Sequence, residues 1–140
     1  MLRGKTFTVA LVDDDTIFQF ITGKIVKSIP EVDKILQFVN GQEFFDFVVK
    51  NYNNPDALPD LVFLDIQMPF MDGWQFMNEY TRLKLKFAKK MRINILSSSI
   101  SLFDKEKANS YNEILNYLVK PISKDEFMKI VKENFEKVLS

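Results

Sequence analysis

Four aspartates, a serine and a lysine are the residues of this chain best placed to do chemistry. Asp13, Asp14 and Asp15 follow the apolar run Phe7-Thr8-Val9-Ala10-Leu11-Val12, and Asp65 ends Leu61-Val62-Phe63-Leu64. Ser97 opens a serine triplet after Ile93-Asn94-Ile95-Leu96, and Lys120 follows Tyr117-Leu118-Val119. Crowded carboxylates repel one another until a proton or a cation relieves them. A hard dication with oxygen ligands does this well, and Mg²⁺ suits few carboxylates, some waters and a phosphoryl group. A lysine adds a point charge for a phosphate. A hydroxyl can hydrogen-bond a phosphoryl oxygen. The set describes a site for moving a phosphoryl group, with electrostatics carrying most of the catalysis and a carboxylate as nucleophile. The sequence contains no Cys and no His. That removes disulfides, thiolate nucleophiles, zinc-thiolate sites, Ser-His-Asp triads and imidazole metal ligands.

The elements that must position these residues alternate. Phe7–Val12 reads as a strand, and a helix follows from Thr16 with Ile17, Ile21, Ile25 and Ile29 at a spacing of four. Ile35–Val39 is a second strand. Asn40 and Glu43 have capping-box-like spacing for a helix to about Tyr52 that carries Phe44, Phe47 and Val48. Asn53–Pro59 is a loop by composition. Leu61–Leu64 is the third strand, with a helix from Gly73 to about Phe87. Ile93–Leu96 is the fourth, with a short helix over about Leu102–Ser110. Tyr117–Val119 is the fifth, and Ser123 and Glu126 cap a last helix whose stripe is Phe127, Val131, Phe135 and Val138. Five alternations predict an α/β fold: a doubly wound parallel sheet with helices on both faces. In such sheets ligands bind outside the carboxyl ends of the strands, where the polar residues named above fall.

The 140 residues suit one domain, and 19 Lys+Arg balance 19 Asp+Glu. No overall field would draw in nucleic acid. No apolar run approaches the length of a membrane span, and the N-terminal stretch Met1–Phe7 lacks a signal-peptide core. A cytoplasmic protein is expected, with neither nucleic acid nor membrane as partner.

The pieces VDDD (Val12–Asp15), LDIQMPFMDG (Leu64–Gly73), LSSS (Leu96–Ser99) and LVKPI (Leu118–Ile122) occur in order, each at a predicted strand end. In these the chain resembles a response regulator receiver domain of two-component signalling, over Thr8 to about Val138. The resemblance implies the flavodoxin-like strand order 2-1-3-4-5. It implies Asp65 as phospho-acceptor, and Mg²⁺ held by Asp14, Asp65 and the backbone carbonyl of Gln67, with Asp13 acting through a water. It implies Lys120 as partner of the acceptor and then of the phosphoryl group, Ser97 as hydroxyl switch, and Tyr117 as aromatic switch. Pro121 falls where the family has a cis bond. The implied donor is a histidine kinase or histidine phosphotransfer protein, and the output goes to a downstream protein. Residues 1–140 would form a single stand-alone receiver with no output domain. It would not be a dedicated enzyme, but would catalyse its own aspartyl phosphorylation and dephosphorylation.

Two other functions compete. Asp13-x-Asp15 resembles the first motif of haloacid dehalogenase-type phosphatases, although Thr16-Ile17 replaces the expected following pair. A phosphorylation-independent interaction module would need none of Asp14, Asp65, Ser97 and Lys120. Asp15 is expected to cap the following helix rather than bind metal. The basic run Lys84, Lys86, Lys89, Lys90 and Arg92 reads as a solvated helix end, and Phe70 and Trp74 as aromatics exposed for a partner.

Overall fold

The computed structural model describes residues 6–139. Met1–Lys5, which include most of the stretch read for a leader, lie outside the described residues, as does Ser140. Five strands form one parallel sheet: β1 (Thr8–Val12), β2 (Lys34–Phe38), β3 (Leu61–Asp65), β4 (Arg92–Ser97) and β5 (Ile114–Val119). Their order is β2-β1-β3-β4-β5, as the resemblance implies. Five helices follow them: α1 (Thr16–Lys27), α2 (Gly41–Lys50), α3 (Gly73–Leu83), α4 (Leu102–Asn109) and α5 (Lys124–Leu139). A short 3₁₀ turn, Lys84–Lys86, extends α3 towards the predicted end at Phe87.

Side chains alternate across a strand, so the sheet feeds two cores. Val9, Leu11, Leu61, Phe63, Leu96 and Leu118 pack with Val26 of α1 and Phe127, Ile130 and Val131 of α5. Ala10, Val12, Val62, Leu64, Ile93 and Ile95 pack with Phe44 and Val48 of α2, Trp74, Phe76 and Tyr80 of α3, and Ala108 of α4. The three inner strands are buried on both faces and therefore read as continuous apolar runs.

The buried face of α1 differs from the isoleucine series. Its buried residues are Gln19, Thr22, Gly23 and Val26, while Ile17 and Ile21 are exposed. A spacing of four overshoots one turn by about 40° per step, so the series drifts around the helix. Ile25 is half-buried and only Ile29, beyond the helix, is fully covered. Gln19 fixes the inner face instead. Its amide donates to the carbonyls of Leu11, Asp13 and Phe38.

The basic run is not simply solvated. Lys84 pairs with buried Glu113, Lys89 with buried Asp60, and Arg92 donates to Asn134.

Candidate phosphoryl-transfer site

The acidic edge is built by three strand ends. Asp13 lies one residue past β1, and its backbone N–H donates to Phe38 O at 3.0 Å. Asp65 is the last residue of β3, and the next N–H, of Ile66, donates to Leu96 O at 3.1 Å. Lys120 lies one past β5, and its N–H donates to Ser97 O at 2.8 Å. Backbone bonds to neighbouring strands thus fix each of the three ends, Asp13 to β2 and both Asp65 and Lys120 to the end of β4.

Carboxylate oxygens of Asp13, Asp14 and Asp65 lie within 4.8 Å of one another, with Asp13 and Asp65 buried and Asp14 exposed. Asp15 stands apart: its side chain accepts from the N–H groups of Ile17 and Phe18 and caps α1. Lys120 Nζ sits 2.6 Å from Asp13 and 3.9 Å from Asp65. Its closer partner is Asp13, whereas the resemblance implies the acceptor. Asp13 is the deeper carboxylate, with no exposed surface, and an unpaired buried charge is the more costly one. Burial pushes the Asp65 carboxyl up to about 7, Asp13 adds to the rise, and Lys120 opposes it. Asp65 therefore lacks positive charge. A hard cation beside three carboxylates fits that deficit.

Ser97 is buried, and its hydroxyl donates to Ser99 O at 2.9 Å while accepting from Ser99 N at 3.2 Å. The Tyr117 hydroxyl donates to the same Ser99 carbonyl at 3.1 Å. Gln67 lies exposed in the turn after β3. The Lys120–Pro121 bond is cis.

Of the two aromatics expected to be exposed, Phe70 is 85% exposed and Trp74 only 8%. Trp74 Nε1 donates to Asp104 at 3.2 Å and its ring stacks on Tyr111, tying α3 to α4. Sequence reasoning missed two site residues. Phe18 lies with its ring centre 4.3 Å from Lys120 Nζ and roofs the ammonium. Its only sequence signal is its place three residues after the capping Asp15. Ser99 matters through its carbonyl, which no side-chain motif reports.

The sequence model of the response regulator receiver domain family matches residues 9–132. Hybrid signal transduction histidine kinase L of Dictyostelium discoideum is 30% identical over 135 residues, 94% of this chain but 7% of that protein. Protein PilG of Pseudomonas aeruginosa is 37% identical over 78 residues, 55% of each. The two component response regulator from Cytophaga hutchinsonii shares the fold at TM-score 0.81 and 23% identity, covering 94% of this chain and 98% of that one. The chemotaxis protein CheY4 of Vibrio cholerae does so at TM-score 0.74 and 20% identity, covering 91% and 98%. The chain spans only a small part of some relatives, 7% of the Dictyostelium kinase and 20% of a Treponema pallidum protein-glutamate methylesterase. It belongs to the response regulator receiver domain family and is a phospho-accepting signalling domain of two-component systems. Receiver domains of this family interact with histidine kinases and downstream effectors. No helix among the described residues is long and apolar enough to cross a membrane.

Proposed function

We propose that Asp65 is the phospho-acceptor, and that the chain takes a phosphoryl group from a histidine kinase or histidine phosphotransfer protein in the cytoplasm. The observation that carries this reading is the gathering of three carboxylates and one lysine from three strand ends. An Asp65 carboxylate oxygen attacks phosphorus, the P–O bond forms, and the P–N bond to the donor imidazole breaks. The imidazole leaves with the electron pair and takes up a proton. Lys120 supplies positive charge beside the new acyl phosphate, and the Ser97 hydroxyl turns to donate to a phosphoryl oxygen. Mg²⁺ is the cation the donor set favours; Asp14, Asp65 and the Gln67 carbonyl would hold it, with Asp13 acting through a water. When bound it would neutralise charge on the transferring oxygens. Output runs from Ser97 and Tyr117 to the surface formed by α4, β5 and α5, which is offered to a downstream protein. Residues 1–140 act as one receiver unit.

A dehalogenase-type use of Asp13 is not favoured. One Asp13 oxygen accepts from Lys120 and the other from the N–H of Asp15, and the residue has no exposed surface for an incoming phosphate. Acetyl phosphate with Mg²⁺, followed by peptide mass spectrometry, tests the assignment. Modification at Asp65 is expected; modification at Asp13 would overturn it.

A further inference from the structure

Phe70 is the sole non-glycine residue with a positive φ among the described residues, at 69°. That region is a conformational outlier for a bulky side chain. The N–H of Met71 donates to Pro69 O at 2.8 Å, so residues 69–71 close a three-residue turn about Phe70. With φ positive, this is the rarer and strained form of that turn. The turn is clamped from both sides. Gly41 N–H donates to Met71 O at 3.1 Å, and Gly73 N–H to Ile66 O at 2.8 Å. Met68 and Met71 pack on the core, whereas Phe70 is 85% exposed. Folding therefore holds a large ring in solvent at a position where Gly or Asn would fit the backbone better. Packing does not explain it.

Its location does. Phe70 lies in the loop that leaves Asp65. Two further large apolar side chains at that edge are exposed, Ile17 in the first turn of α1 at 71% and Ile100 in the loop that leaves β4 at 82%. A charged centre is thus edged by apolar groups. A small phosphodonor needs only the centre. A protein donor must lay its surface on the edge as well.

We propose that Phe70 is a specificity-determining residue, an apolar anchor that seats in a pocket beside the phosphorylated histidine of a donor protein. This rests on the reading of Asp65 as acceptor. Strain of this kind persists where the surrounding structure over-determines it, as the two clamping bonds do here, and it clusters at ligand clamps; the exposed ring that it presents is of the kind interfaces use as an anchor.

The test uses Phe70→Gly and Phe70→Asn, which both relieve the turn, and two donors. One donor is acetyl phosphate with Mg²⁺. The other is the autophosphorylated histidine kinase core from the source genome that transfers fastest to the wild-type chain. Both variants are expected to melt no lower than wild type and to take acetyl phosphate at the wild-type rate. Transfer from the kinase should fall by about tenfold or more, through KM for the receiver rather than kcat. The kinase arm unchanged in both variants would overturn the proposal. So would equal loss with both donors, a lowered melting temperature in both variants, or no kinase outpacing acetyl phosphate on the wild type. Failure of acetyl phosphate to modify Asp65 in the wild type is a separate result, and would overturn the acceptor assignment.

Discussion

Asp65→Asn should make the metal-free protein more stable, by an amount that grows from acid to alkaline pH. Burial first, then Asp13, lifts the Asp65 carboxyl from its ordinary 3.8 to about 7 in the folded chain. At ~1.4 kcal/mol per pH unit this corresponds to ~4 kcal/mol. Water reaches the site at exposed Asp14 and screens the carboxylates, so about half, ~2 kcal/mol, is the expected effect. Below about pH 4 folded and unfolded chains both hold the proton, and Asp65 adds no penalty. As pH rises, the unfolded chain ionises first. Stability falls until the folded carboxyl also ionises near 7, and the penalty is complete above that. Asn keeps the shape and does not titrate. The gap between variant and wild type should therefore be partial at about pH 5 and close to its full size at about pH 8. Urea unfolding in EDTA, followed by circular dichroism and by fluorescence of Trp74, measures it. Mg²⁺ at alkaline pH should stabilise wild type more than the variant and narrow the gap. A gap that stays flat between those two pH values, or a variant less stable than wild type at the higher one, would refute the account of Asp65 as a carboxylate starved of positive charge.

Asp14→Ala should remove most of the Mg²⁺ binding, read by titration of Trp74 fluorescence; an unchanged affinity excludes Asp14 as a ligand. Gly73→Ala places a Cβ 2.7 Å from Asp65 O and 3.0 Å from Ile66 Cα. That overpacking should cost ~1–3 kcal/mol in urea unfolding and slow labelling by acetyl phosphate, because it displaces Asp65, the proposed acceptor. Ser97→Ala and Tyr117→Phe should still accept phosphate at Asp65. Amide hydrogen exchange over residues 102–110 and 114–138 should then respond less to a beryllofluoride mimic than in wild type.

Strand ends were legible because buried parallel strands are short, apolar and stopped abruptly by polar residues. Asp13, Asp65, Ser97 and Lys120 each stand at or just beyond such a stop. Alternation of strand and helix then fixed on which edge they meet. Distances within that edge were not legible. Whether Lys120 leans to Asp13 or Asp65 depends on burial depth, and both are simply aspartates in sequence. The isoleucines of α1 misled because a helix face repeats every 3.6 residues, and here hydrogen bonds of Gln19 set the inward direction. The basic run misled because the partners of Lys84, Lys89 and Arg92 lie at Glu113, Asp60 and Asn134, far away in sequence. Trp74 reads as exposed in sequence because Asp104 and Lys107 of α4, which cover it, lie about thirty residues away.

The Ser99 carbonyl explains how the proposed switch can be both held and releasable. It accepts from Ser97 Oγ at 2.9 Å and from the Tyr117 hydroxyl at 3.1 Å, which its two lone pairs allow. Ser97 Oγ also accepts from Ser99 N, so serine and peptide grip each other both ways. A phosphoryl oxygen on Asp65, the proposed acceptor, would compete for the Ser97 proton with a charge-assisted bond, roughly twice as strong as a neutral one. Were Ser97 to turn, Ser99 would keep only Tyr117. Ser99 is exposed, so water can take the vacated positions at little cost. The backbone beneath does not have to yield. Lys120 N–H still holds Ser97 O, and Ile66 N–H still holds Leu96 O. Change is thereby confined to the segment after Ser97 and to Tyr117. That segment leads to Ser101, whose hydroxyl accepts from Asp104 N and caps α4. Asp104 in turn accepts from Trp74 Nε1 on α3. A proton redirected at one buried serine would therefore loosen the Ser97–Ser99 pair, and the short covalent stretch from Ser99 to Ser101 would carry that change to the cap of α4, with the sheet standing still.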